Sequence, residues 1–268
     1  MLYPCFNDKV ALITGGTRGI GRQIAELLAD QGCSLFLVYR RDRRAAEAAE
    51  RELSEKKVAV QIMQANIAEE DWIAQIIADV SKRYGRLDYL VSNAVFGVLK
   101  PVGDFTAKRF DVAMDTNARS YLLLAQAAAD MMVPAGTVDD PWEVPDGPLP
   151  PGKRMVALSS LGSQKIIPGY TAVGASKAAI ETITKYLAAD LAQRGIGVNA
   201  VAGGLVNTDS LKAFKENSDW IDEQVRRTPL GRLAEPMDIA KVAVWLLSDQ
   251  AGWITGQTII ADGGLSLT

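Results

Sequence analysis

Lys9-Val-Ala-Leu-Ile-Thr-Gly-Gly-Thr-Arg-Gly-Ile-Gly21 decides how this chain is read. Val10 to Ile13 is an apolar run of strand length. Four glycines in seven positions follow, and then an amphipathic stretch with Ile24, Leu27 and Leu28 on one helical face. Strand, glycine turn and helix together form an arrangement that receives phosphate. Glycines let the backbone come close to a pyrophosphate, and the helix start offers unpaired N–H groups and the positive end of its dipole. The turn therefore nominates Gly15, Thr17, Arg18, Gly19, Ile20 and Gly21 as cofactor contacts. A plain tight turn would use the same glycines, so the choice rests on the rest of the chain.

Downstream the pattern repeats. Strand-like apolar runs fall at 9–13, 34–39, 58–63, 87–91, 154–158, 196–201 and 257–261, with helical patterns near 19–31, 42–56, 69–84, 106–132, 170–193 and 236–248. Regular alternation of this kind predicts an α/β fold: one Rossmann-type domain over 1–268, with a doubly wound parallel sheet of about seven strands. Two stretches break the rhythm. Residues 134–152 hold six prolines and three glycines and read as an irregular insertion before the fifth strand. Residues 203–233 follow the sixth strand at its carboxyl end, where such sheets bind ligands, and are expected to cover the substrate.

Composition excludes several chemistries. The 268 residues are 48% hydrophobic, enough for one full core. There is no histidine, which removes histidine metal ligands, Ser-His-Asp triads and Cys-His dyads. Two cysteines, Cys5 and Cys33, are too few for a disulfide framework or a thiolate metal site, so no metal is expected. Net charge of −3 gives no reason to expect nucleic acid as a partner. No apolar run reaches membrane-spanning length and the first residues lack a signal-peptide core, so a cytoplasmic protein is expected. Proton chemistry falls to Tyr, Lys, carboxylates or water.

Tyr170-Thr-Ala-Val-Gly-Ala-Ser-Lys177 supplies such a pair. On a helix, offsets of four and seven return to nearly the same face, so Tyr170 can share a site with Lys177 as a tyrosine at position 173 would. The difference is axial: three residues move the attachment point by about 4.5 Å. Position 173 is a valine.

These stretches together resemble the short-chain dehydrogenase/reductase superfamily along essentially the whole chain. Thr14 to Gly21 matches its cofactor turn, Ser92-Asn93-Ala94 its element after strand four, Asn117 its central-helix asparagine, Ser159 its strand-five serine and Lys177 its lysine. Val198 to Gly204 and Asp262-Gly-Gly264 follow its later patterns. Within the superfamily, Ser159 to Ser163, Asn93 to Pro101, Tyr170 to Lys177 and Gly204 to Leu211 are most similar to bacterial NADPH-dependent enoyl-acyl-carrier-protein reductases of type III. The resemblance implies a catalytic set of Tyr170, Lys177, Ser159 and Asn117, with Lys177 also on the nicotinamide ribose. It extends the cofactor surface to Asn66, Ile67, Asn93, Ala94, Gly204, Val206 and Thr208.

Charge argues for the cofactor type. Tyr39-Arg40-Arg41 ends strand two, where an acidic residue would accept the 2′-hydroxyl of NAD, and Arg18 lies inside the turn; guanidinium groups suit the extra phosphate of NADPH. The displaced tyrosine argues for the reaction. Ketone reduction places hydride on the carbon that bears the oxygen, whereas enoyl thioester reduction places it on Cβ and develops charge on an oxygen farther away. The expected function is thus NADPH-dependent reduction of a 2-enoyl thioester carried on acyl carrier protein or CoA. A 3-ketoacyl-type carbonyl reductase, a non-catalytic NADP sensor and a scaffold protein are the alternatives. Apolar residues on helices 106–132 and 170–193 (Leu122, Leu123, Ile180, Ile183) predict a homotetramer or homodimer. Lys100, Lys108, Arg109, Lys212, Lys215, Arg226 and Arg227 flank the expected entrance, where an acidic carrier would dock.

Overall fold

The computed structural model describes residues 6–133, 152–209, 211 and 218–268. Its strands are β1 (Val10–Thr14), β2 (Ser34–Tyr39), β3 (Val60–Gln64), β4 (Tyr89–Ser92), β5 (Lys153–Ser160), β6 (Ile196–Gly203) and β7 (Thr258–Ala261). All pair in parallel in the order β3-β2-β1-β4-β5-β6-β7. The order reverses between β1 and β4, which opens a crevice at their carboxyl ends.

Helices cover both faces: α1 (Gly19–Ala29), α2 (Arg43–Ser54), α3 (Glu70–Tyr84), α4 (Ala107–Met114), α5 (Ser120–Met132), α6 (Thr171–Leu191), α7 (Ser218–Arg227) and α8 (Pro236–Leu247). One buried layer joins Leu12, Leu90 and Met155 to Ile76, Tyr121, Leu124 and Ile180. The other joins Ile13, Val91 and Val156 to Ile24, Leu28, Ile239 and Leu247. A strand covered on both faces must be apolar throughout, hence the continuous runs in the sequence. Asp88, 1% exposed, accepts hydrogen bonds from the Val10 amide (3.0 Å), Arg86 (2.8 Å) and Lys153 (2.8 Å). Its burial works to raise the pKa, but these donors prevail and hold the carboxyl below the usual range.

The structure departs from the expected elements in two places. The helix expected over 106–132 is interrupted by a π turn, Asp115–Arg119, between α4 and α5. The region 203–233 contains α7, whose sequence SDWIDEQVRR shows only a short apolar stripe. The insertion at 134–152, apart from Gly152, lies outside the described residues, as do Cys5, Lys212 and Lys215.

Candidate active site

The glycine turn closes against the loop after β4. Gly15 is left-handed (φ 65°), and a Cβ on Gly21 would stand 2.4 Å from the Gly15 carbonyl oxygen and 2.5 Å from the Asn93 amide nitrogen. Only glycine permits that approach. Asn93 donates to the carbonyls of Thr14 and Gly15 (both 3.0 Å), while the backbone amides of Asn93 and Ala94 donate to the Thr14 hydroxyl (3.0 and 3.1 Å). Asn93 thus fastens the two edges of the crevice together. At the start of α1, Arg18 holds the N-cap position without a side-chain cap, so the first amides of the helix face the groove.

A groove of about 490 Å³ runs across this crevice and gathers Gly15, Thr17, Arg18, Gly19, Ile20, Tyr39, Arg40, Arg41, Asn66, Ile67, Asn93, Ala94 and Thr208. Four of the expected cofactor contacts are absent from its lining, among them Lys177, which is buried on α6 with its amine on the Leu158 carbonyl. Gly21 is buried beneath the turn, Gly204 lines a neighbouring pocket with Leu161, Ile167 and Trp220, and Val206 packs against the core while pairing with Ala234. Arg18, Arg40 and Arg41 are exposed, and among the described residues none has an ion-pair partner; the Arg40 guanidinium lies 5.7 Å above the Phe96 ring. Two buried atoms, Asn66 Oδ1 and Thr116 Oγ1, belong to groove residues and lack a hydrogen-bond partner. A glycine cradle at a helix start, three guanidiniums without carboxylates and two spare polar atoms fit a dinucleotide that carries an additional phosphate. Arg43 serves elsewhere, in a 2.7 Å pair with Glu47.

The proton-transfer end lies on α6. Tyr170 is the residue just before its first turn, and the ring rests on Gly162, where a Cβ would come within 2.6 Å of two ring carbons. Burial pushes the phenol above its ordinary pKa, and a hydrogen bond with the Ser160 side chain works the other way. Lys177 is 4% exposed and donates to the Leu158 carbonyl (2.5 Å). Its burial lowers the ammonium pKa to about 8, against the opposing pull of the Glu181 carboxylate.

Ser159 faces α6, with its hydroxyl 3.5 Å from the Lys177 backbone carbonyl. Its hydroxyl donates to Glu181 (2.6 Å), and Glu181 also accepts from Ser163 (2.5 Å) and Gln164 (3.3 Å). The serine that works to lower the Tyr170 pKa is Ser160, which the sequence reading did not single out. Strand alternation could have raised the question: Ser159 shares the face of Met155 and Ala157, over which α6 lies, and Ser160 points the other way. Asn117, in the π turn, is fully engaged: it accepts from the Phe96 amide (2.8 Å) and donates to the Phe96 carbonyl (2.9 Å) and Ser176 hydroxyl (2.8 Å). It clamps the β4–α4 loop to α6. At the entrance, Arg227 donates to the Thr268 carbonyl and Arg109 to that of Asp104.

Known proteins with this organisation cover the chain end to end. It is 36% identical over 261 residues to 1-cyclohexenylcarbonyl-CoA reductase of Streptomyces collinus, spanning 97% of this chain and 87% of that protein. It is 34% identical over 260 residues to the 3-oxoacyl-acyl-carrier-protein reductase FabG of Staphylococcus epidermidis, spanning 96% and 99%. A short chain dehydrogenase of Burkholderia cenocepacia, solved in complex with NADP, superposes with a TM-score of 0.86 at 28% identity over 97% of this chain and 99% of that one. Among the described residues, no helix is long and apolar enough to cross a membrane, and no cluster of three potential metal ligands occurs. The short chain dehydrogenase family matches residues 9–219, and with this fold, groove and Tyr/Lys helix the chain belongs to that family.

Proposed function

We propose that the chain is an NADPH-dependent reductase of 2-enoyl thioesters. The observation that carries the reading is at position 173: the side chain there is a buried valine packed against the Gly97 backbone, which leaves Tyr170 as the phenol of this helix start. The 1-cyclohexenylcarbonyl-CoA of the Streptomyces relative's name is an acyl thioester with a ring double bond next to the carbonyl.

When bound, NADPH would supply the hydride; the Gly15 to Gly21 turn and the start of α1 would hold its pyrophosphate, Arg18, Arg40 and Arg41 its 2′-phosphate, and Lys177 its ribose hydroxyls. As hydride reaches Cβ, negative charge moves to the thioester oxygen, where Tyr170 donates a hydrogen bond; donors preset for that charge favour the transition state over the substrate. A proton delivered to Cα from Tyr170, or from water relayed along Lys177 and Asn117, would complete the saturated thioester.

The test is a substrate panel. Crotonyl thioester on acyl carrier protein and on CoA should be reduced with NADPH, with kcat/KM at least about tenfold better than with NADH, the discrimination expected of charge-assisted bonds to one phosphate. Acetoacetyl thioester is the competing substrate, because the FabG relative also spans the whole chain. Reduction of acetoacetyl and not crotonyl thioester overturns the enoyl assignment, and equal use of NADH removes the phosphate role of the arginines.

Self-association belongs to the same reading. The outer faces of α5 and α6 form a groove lined by Leu122, Ile183, Leu187 and a 70%-exposed Tyr186. A second copy covers such a surface with two-fold symmetry. Analytical ultracentrifugation at micromolar concentration should give a dimer or tetramer; a stable monomer contradicts it.

A further inference from the structure

The loop between β4 and α4 is fastened at three successive points. The backbone of Phe96 is clamped in both directions by Asn117, at 2.8 and 2.9 Å. Gly97 lies directly on Val173, so close that a Cβ at 97 would stand 2.0 Å from Val173 Cγ2. The Lys100 amide donates to the Gly169 carbonyl at 3.0 Å, next to Tyr170. Val173 cannot yield easily, since it is 4% exposed and a β-branched side chain inside a helix has essentially one rotamer.

We propose that Gly97 is a specificity-determining residue. Its missing side chain lets the loop seat on Val173, and the seated loop occupies the volume that a larger group at 173 needs, leaving Tyr170 as the phenol at the substrate. Gly97 and Val173 are then one device, with neither effective alone. A phenol placed at 173 on its own meets the loop backbone before it meets a substrate. The loop also carries Val95 and Phe96 into the groove wall, so its seating positions substrate against cofactor. The assignment of a specificity rests on the enoyl reading above, whereas the coupling between positions 97 and 173 does not.

Gly97→Ala, Val173→Ala and the double variant test the device, each with the intact cofactor and with crotonyl and acetoacetyl thioesters. Overpacking of one methyl should lower kcat/KM for crotonyl thioester about tenfold in Gly97→Ala, through the KM for the acyl substrate and not that for NADPH. Val173→Ala should rescue it, bringing the double variant to within about threefold of the Val173→Ala single. Should Gly97→Ala fail to fold, Val173→Ile adds bulk from the helix side and is expected to reproduce the loss with Gly97 intact. Wild-type kinetics in Gly97→Ala or Val173→Ile, or a double variant no better than Gly97→Ala, overturns the proposal. If the wild type reduces only acetoacetyl thioester, the enoyl reading falls, and the same four-protein cycle read with that substrate still decides whether 97 and 173 act together.

Discussion

Tyr170→Phe is expected to lower kcat on an enoyl thioester by about ten- to a thousandfold while NADPH affinity stays nearly constant, because it deletes one donor to the forming enolate and keeps the ring. The ring is what the structure requires locally: it lies on Gly162 at the start of α6, so phenylalanine fills the same space. The effect should appear equally in kcat and kcat/KM, the pattern of an interaction made only in the transition state. Stopped-flow oxidation of NADPH at saturating substrate separates it from product release. Full activity in Tyr170→Phe removes the phenol from the chemistry and with it the argument from its spacing to Lys177.

If the proposed reading gives one ammonium to both the ribose and the tyrosine, Lys177→Ala should be more damaging still, at least about a hundredfold in kcat/KM together with about tenfold weaker NADPH binding. The pH dependence gives an independent check. Burial holds the folded pKa at about 8 against an ordinary 10.5. Between those values the unfolded chain binds more protons than the folded one, so this group makes the cofactor-free protein more stable as pH rises through the window. NADPH binding runs the other way: the ammonium that holds the ribose is lost above about pH 8, and affinity should fall there in the wild type and be flat in Lys177→Ala. Calorimetric titration from pH 7 to 9.5 reads both; parallel profiles would detach Lys177 from the cofactor.

How much of this was legible in the sequence follows from what sequence periodicity can encode. All seven strands stand where the apolar runs put them, because helices on both faces leave polar residues only at the ends of β1, β2 and β4, at Thr14, Ser34 and Ser92. The cofactor groove was legible too, since thirteen of its lining residues come from the glycine turn, the ends of β2 and β3, the Asn93-Ala94 step and Thr208. Contacts made through backbone approach were not. Nothing in a residue string says that Gly97 lies on Val173 or that Asn117 reaches Phe96. Ser159 came from the family resemblance, and two adjacent serines look alike until the strand assigns them to opposite faces. The helix α7 escaped because Trp220, Ile221 and Val225 are too few to mark a period.

The π turn at Asp115–Arg119 has a consequence for how this chain would take a deletion. A π turn holds one residue more than the α count, so it behaves as a single-residue insertion absorbed in place. Removing one residue there would restore a continuous α-helix with the inward faces of α4 and α5 still in phase, and the core layer around Tyr121 and Leu124 would survive. What would be lost is the placement of Asn117 at both Phe96 and Ser176. A chain shortened by that residue would keep the sheet and release the loop.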